Sequence, residues 1–216
     1  MTIDKKFINQ FINVTSKAAL ASSYLVGKND KIAADKAAVD SMRSELNKIN
    51  FHGEIVIGEG ELDDAPMLYI GERVGSKNQP KFDIAVDPLE GTNFAAKNLP
   101  GALSVIAIAE KNSLFNAPET YMEKISSRVN EKKVIDLDYT IKQNIYNLSD
   151  YLNKNPENLT ACILDRPRHK KIIDELKKLK VNLKLITDGD VSGALLVTDQ
   201  KYNVDIFLGI GGGPEG

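Results

Sequence analysis

Asp87-Pro88-Leu89-Glu90-Gly91-Thr92 places two carboxylates, a hydroxyl and several backbone amides within six residues. The run before it, Lys81-Phe82-Asp83-Ile84-Ala85-Val86, is short and apolar enough for a buried strand, and Pro88 cannot continue a ladder. Asp87 is therefore expected at a strand mouth, with Glu90 and Thr92 on the turn beyond, an arrangement that suits a divalent cation and a phosphate. Thr92 would orient an attacking water while the amides of Gly91 and Thr92 receive phosphate oxygens. A turn threonine capping the next segment is the alternative.

Three more carboxylates stand at element ends. Asp35 lies one step back along a helical stripe of Val39, Met42, Leu46 and Ile49, an acid on an otherwise apolar face near a helix start; an acid placed to suit the helix dipole is the other reading. Glu59 opens the acidic segment Glu59-Gly60-Glu61-Leu62-Asp63-Asp64 after a short strand, and either a ligand loop or an acidic surface loop fits it. Glu215 sits in the last turn. Asp35, Glu59, Asp87, Glu90 and Glu215 are all hard oxygen ligands without a nearby histidine or thiolate, a set that selects Mg²⁺ or Mn²⁺ over zinc. Two such ions would stabilise the attacking and leaving oxygens of a phosphoryl transfer, so metal-assisted phosphate hydrolysis is the chemistry expected.

A second anion site is expected at Arg166, Arg168 and His169, which share one turn at a helix start; a solvated basic helix start is the alternative. Asp188 and Asp190 can accept hydrogen bonds from sugar hydroxyls, although Asp-Gly is also an ordinary turn signal. Tyr121 has the weakest case from the residues themselves and reads as packing. Cys162, inside an apolar strand, reads as core.

The elements that carry these residues follow from periodicity. Phe7, Phe11, Val14, Ala18 and Leu25 mark a helix from a cap at Asp4 to a stop at Gly27, and a second helix starts near Asn29-Asp30. Short strands are predicted at Glu54–Gly58, Lys81–Val86 and Leu103–Ala109, with 111–138 left unassigned, and a helix at 141–152 ends at Asn155-Pro156. The last third alternates strand 160–164, helix 168–180, strand 181–186, helix 190–199 and strand 203–208, which argues for parallel βαβ units. Ligands in open α/β sheets collect at the carboxyl ends of strands, so the turns there are candidate walls of one cleft. The glycine-rich stretch Gly209–Gly216 is read as a turn that would open an anion-holding helix, and the chain is expected to be truncated before that helix.

Composition narrows the partners. The 216 residues, 42% hydrophobic, can form one sizeable core, and 28 basic against 30 acidic residues give a net charge of -2. No strong field favours nucleic acid or an anionic membrane surface, so small molecules are the expected partners. One cysteine excludes an internal disulfide, and with two histidines it cannot build a closed zinc site. The amino terminus has no signal-like apolar core and no long apolar run exists, so a cytoplasmic protein is expected.

The motif Asp87–Thr92 resembles the D-P-[LI]-[DE]-G-[TS] signature of the lithium-sensitive phosphatases related to inositol monophosphatase. More narrowly, the chain resembles a class II, bacterial-type fructose-1,6-bisphosphatase. The resemblance rests on Ala33-Ala34-Asp35, Ile57–Glu61, Ala65–Glu72, Asp87–Thr92, Tyr121–Lys124, Arg166–His169, Asp188–Asp190 and Gly209–Gly216, in family order across essentially the whole chain. It implies that Asp35, Glu59, Asp87, Glu90 and Glu215 bind Mn²⁺ or Mg²⁺, with Asp87, Glu59 and Thr92 catalytic. It also implies that Glu90, Gly91, Thr92, Tyr121, Arg166, Pro167, Arg168, Asp188, Gly189, Asp190 and Gly212 line the site of a sugar bisphosphate. The implied reaction is hydrolysis of the 1-phosphate of fructose 1,6-bisphosphate in gluconeogenesis; an inositol or sedoheptulose phosphatase, or a non-catalytic binding fragment, is the alternative. The implied fold is a layered αβαβα sandwich lacking its C-terminal part, in one phosphatase unit with a metal-binding half at 1–155 and the start of a sugar-phosphate half at 156–216. Family members are dimers or tetramers, so a homo-oligomer is expected.

Overall fold

The computed structural model describes residues 3–58, 60, 68–118 and 120–215, except for the side chain of Glu215. The chain is mixed α/β, with two mixed sheets flanked by helices, and divides into two compact units, Met1–Pro118 and Glu119–Gly216. The division falls inside the stretch that sequence patterning left unassigned.

In the first unit, helix α1 (Lys5–Ser23) starts where the Asp4 side chain accepts the Lys6 amide at 3.0 Å. Helix α2 (Lys31–Leu46) starts in the same way, with Asp30 accepting the Ala33 amide at 2.9 Å. Each cap satisfies an amide that the helix itself leaves open. The two helices pack on one another and on a sheet of four strands: β1 (His52–Ile57), β2 (Arg73–Val74), β3 (Lys81–Glu90) and β4 (Leu103–Glu110), in the order β2-β1-β3-β4. β1 and β3 are parallel, and the outer pairs antiparallel. Phe7 meets Phe82 edge-on at 5.3 Å and Phe11 meets Phe51 at 5.4 Å, so the predicted stripe of α1 locks into the sheet through aromatic contacts.

β3 runs four residues further than predicted. Asp87 pairs with Val105 and Glu90 with Leu103, so Pro88 and Leu89 stand opposite Ser104 alone, a β-bulge. Pro88 donates no ladder bond, as expected of proline, but the strand resumes beyond it. The Leu89 amide donates to Asp87 Oδ1 at 3.1 Å, closing the bulge on itself.

The second unit holds β5 (Tyr121–Ser127), α4 (Ile141–Leu152), β6 (Thr160–Leu164), α5 (Lys170–Lys178), β7 (Asn182–Ile186), α6 (Asp190–Leu195) and β8 (Ile206–Gly212), with sheet order β5-β8-β6-β7. β6 is parallel to both β7 and β8, as the alternation predicts; β5 adds an antiparallel edge. Successive side chains leave opposite faces of a strand. Ala161, Ile206 and Leu208 accordingly join Ile145, Leu148 and Leu176 in one core cluster, while Cys162, Leu164 and Phe207 join Val197 and Val204 in another.

The glycine-rich segment differs from its predicted form. β8 continues through Gly212, and Gly209–Gly212 pair in register with Lys124–Tyr121, so a ladder with β5 occupies the residues expected to form a turn. No described helix is long and apolar enough to cross a membrane.

Candidate active site

The bulge gives Asp87 and Glu90 their places: both remain on β3, and the chain leaves the strand at once through Gly91 into the short helix α3 (Thr92–Ala96). Gly91 takes the left-handed conformation, φ +77°, and a Cβ there would stand 2.8 Å from the Phe94 ring, so position 91 requires glycine for conformation and for space. Its carbonyl accepts the Phe94 amide at 2.8 Å, the first bond of α3. The far end of α3 is held in turn, with the carbonyls of Ala95 and Ala96 each accepting an amide, from Gly27 and Asn29 at 2.9 Å, in the loop that leads into α2. Thr92 is half-buried at the start of this clasped helix, and Glu90 is buried.

Asp35 rides on α2, which packs against both β3 and α3. Its Oδ1 is buried with no hydrogen-bond partner among the described residues, and burial raises the carboxyl above its ordinary pKa. An acceptor left unsatisfied in this way costs stability unless something fills it. A hard cation meets that requirement, so Asp35 fits the metal chemistry expected of it. Among the described residues no group of three or more Asp, Glu, His or Cys side chains is placed to hold a metal ion. Glu59 and the Glu215 side chain, two of the five expected ligands, lie outside the described residues.

Earlier on β3, Asp83 is buried in a different role. The Lys111 ammonium lies 3.0 Å from its Oδ1, while Oδ2 accepts the amides of Ser113 at 2.9 Å and Leu114 at 3.3 Å. Burial alone would raise this carboxyl, but Lys111 and the two amides outweigh it and hold it below the usual range.

The second unit brings the remaining candidates together in pairs. Arg168 lies over the Tyr121 ring, 4.9 Å from its centroid, and its Nε donates to the Ile210 carbonyl at 2.7 Å. Tyr121 is exposed and holds the guanidinium by a cation–π contact, a role its sequence context did not suggest. Arg166 Nη2 stands 3.6 Å from Asp188 Oδ1, and Pro167 opens the short 3-10 turn between the two arginines. Gly189, left-handed at φ +81°, leads into Asp190, the first residue of α6. Gly212 pairs with Tyr121 on the last rung of β5 and β8.

Two placements depart from expectation. His169 is fully buried: Nδ1 bonds the Leu164 carbonyl at 2.7 Å and Nε2 accepts the Ile210 amide at 2.8 Å, so the ring is a strut between β6 and β8 and cannot join a phosphate clamp. Asp190 is buried as well, with Lys124 Nζ 3.0 Å from its Oδ2. Lys124 has no role in the sequence reading. The signal for it is its place on the sheet face with Met122 and Ser126, legible only once β5 is recognised as a strand.

Residues 5–216 match the family model described as bacterial fructose-1,6-bisphosphatase, glpX-encoded. The D-fructose 1,6-bisphosphatase class 2/sedoheptulose 1,7-bisphosphatase of Synechocystis sp. is 44% identical over 96% of this chain and 64% of that protein. The fructose-1,6-bisphosphatase 1 class 2 of Escherichia coli is 46% identical over 96% of this chain and 62% of its own length, and the class 2 enzyme of Haemophilus influenzae is 45% identical over the same shares. The chain thus spans 62% to 64% of the length of these relatives. A family match that runs from residue 5 to the last residue, supported by relatives above 40% identity, decides the assignment: the chain belongs to the family of bacterial, glpX-encoded fructose-1,6-bisphosphatases.

Proposed function

We propose that this chain carries the catalytic residues of a phosphatase that hydrolyses the 1-phosphate of fructose 1,6-bisphosphate, giving fructose 6-phosphate and phosphate in gluconeogenesis. The observation that carries the proposal is the β3 bulge, which sets Asp87 and Glu90 on one strand end directly before Gly91 and Thr92. Asp35, Glu59, Asp87, Glu90 and Glu215 would hold Mn²⁺ or Mg²⁺, and the buried Oδ1 of Asp35, without a hydrogen-bond partner among the described residues, supports the part of Asp35 in that set. Such a cation supplies Lewis acidity at the phosphoryl oxygens and a lowered pKa for water.

The chain's own residues supply position. The Thr92 hydroxyl orients the attacking water, and Gly91 lets the backbone turn tightly enough to bring the amides at the start of α3 to the phosphate. Arg166, Pro167 and Arg168 form the turn that takes the second phosphate, with Tyr121 steadying Arg168 and Gly212 beside them. Asp188, Gly189 and Asp190 form the turn facing the sugar. A cytoplasmic homo-oligomer, dimer or tetramer, is the setting we propose.

A second reading, action on sedoheptulose 1,7-bisphosphate as well, is favoured by the dual name of the Synechocystis relative. Phosphate release from fructose 1,6-bisphosphate, sedoheptulose 1,7-bisphosphate and inositol 1-phosphate, each with Mn²⁺, tests both. Turnover of the first with inositol phosphate about tenfold slower or worse supports the proposal; faster release from inositol phosphate would replace it with the related activity, and bisphosphate binding without release would make the chain a binding module.

A further inference from the structure

Lys124 and Asp190 form an ion pair with side chains 9% and 5% exposed, joining β5 to the first residue of α6. Asp190 depends on this contact. Its Oδ1 is buried and has no hydrogen-bond partner among the described residues, so its charge is compensated through Oδ2 and the ammonium. The far side is fixed too: a Cβ at Gly211 on β8 would lie 1.6 Å from Oδ2, so the carboxylate occupies space that this glycine leaves open.

A carboxylate held in this way cannot swing outward, whereas Asp188, two residues earlier, is less buried and stands 3.6 Å from Arg166. Between them Gly189 turns the chain through a left-handed conformation. The turn thus has an inner acid tied to the sheet and an outer acid paired with an arginine of the neighbouring turn.

We propose that Lys124 is a positioning residue which, through Asp190, anchors the Asp188–Gly189–Asp190 turn so that Asp188 and Arg166 present a fixed pair to the sugar phosphate. Asp190 is the anchor and Asp188 the contact. This rests on the sugar-phosphatase reading above. It adds to that reading a residue on the edge strand and divides the labour within the turn. β5 then serves the site from both faces, Tyr121 under Arg168 on one and Lys124 against Asp190 on the other.

The test is calorimetric binding of fructose 6-phosphate in the presence of Mg²⁺ to the wild-type chain, Lys124→Met, Asp188→Ala and the double variant, with thermal unfolding followed separately. Lys124→Met should weaken binding about tenfold, as should Asp188→Ala, and the double variant should bind within about twofold of Asp188→Ala, because Lys124 acts through Asp188. Losses that multiply to about a hundredfold, or unchanged binding in Lys124→Met, would overturn the proposal. Should Lys124→Met fail to fold, Asp190→Asn takes its place with the same expected pattern and the same contrary outcomes. Absence of binding by the wild-type chain would overturn the sugar-phosphatase reading and this inference with it, whereas wild-type binding with an unaffected Lys124→Met overturns this inference alone.

Discussion

The carboxylate of Asp190 lies where a side chain at position 211 would go: a Cβ on Gly211 would stand 1.6 Å from Asp190 Oδ2 and 3.2 Å from Lys124 Nζ. Gly211→Ala must therefore displace a buried ion pair or shift β8. The expected cost is about 1–3 kcal/mol in urea unfolding, the range of an overpacked interior. Asp190→Ala removes the obstacle, so the double variant should lose less than the sum of the single losses; additive losses would show that the two positions do not share this space.

Stability should depend on pH through Asp83. Its folded pKa lies below the unfolded value, so its contribution is complete above about 3.9 and is lost as pH falls through the lower folded value. Asp83→Asn, which takes the charge away from two amides and leaves Lys111 with Glu54, 3.1 Å away, as its carboxylate partner, should cost about 1–3 kcal/mol at neutral pH. The gap between wild type and variant should narrow as urea midpoints are taken at successively lower pH. A gap that does not change with pH would contradict this role.

Cys162 should be chemically silent in the folded chain. Burial in the β6 core pushes its thiol up to about 11, against an opposing effect of Lys184, so little thiolate exists at neutral pH and the side chain is out of reach of solvent. Iodoacetamide should label it in urea and leave it unmodified without denaturant, as followed by mass spectrometry. Equal rates in the two conditions would be inconsistent with the packed β6.

Much of this structure is written in local pattern. The Asp4 and Asp30 caps, the aromatic stripe of α1 and the strand–helix alternation after residue 160 were legible because each depends on neighbours a few residues apart. What escaped depends on contacts distant in sequence. Tyr121–Ser127 has no clear alternation of its own and becomes a strand by pairing with β8, which in turn draws Gly209–Gly212 out of the expected turn. Pro88 signals an end to β3, but Val105 and Leu103 on β4 rejoin the strand across the bulge. His169 has the composition of an anion clamp, and only the carbonyl of Leu164 and the amide of Ile210 reveal that it faces inward. The carboxylates and arginines of the site were legible by type and order; the Lys124 contact that fixes one of them was not.

Phosphate release from fructose 1,6-bisphosphate with Mn²⁺, compared between the wild-type chain, Asp87→Asn and Thr92→Ala, bears most directly on the proposed chemistry. Both substitutions keep close to the native shape, and urea unfolding run in parallel would register any loss of fold. Removing the charge at the bulge, or the hydroxyl that orients water, should lower the rate about a hundredfold or more while leaving the unfolding midpoint close to that of the wild type. Rates within about twofold of the wild type in either variant would contradict the assignment of Asp87 and Thr92 to the reaction.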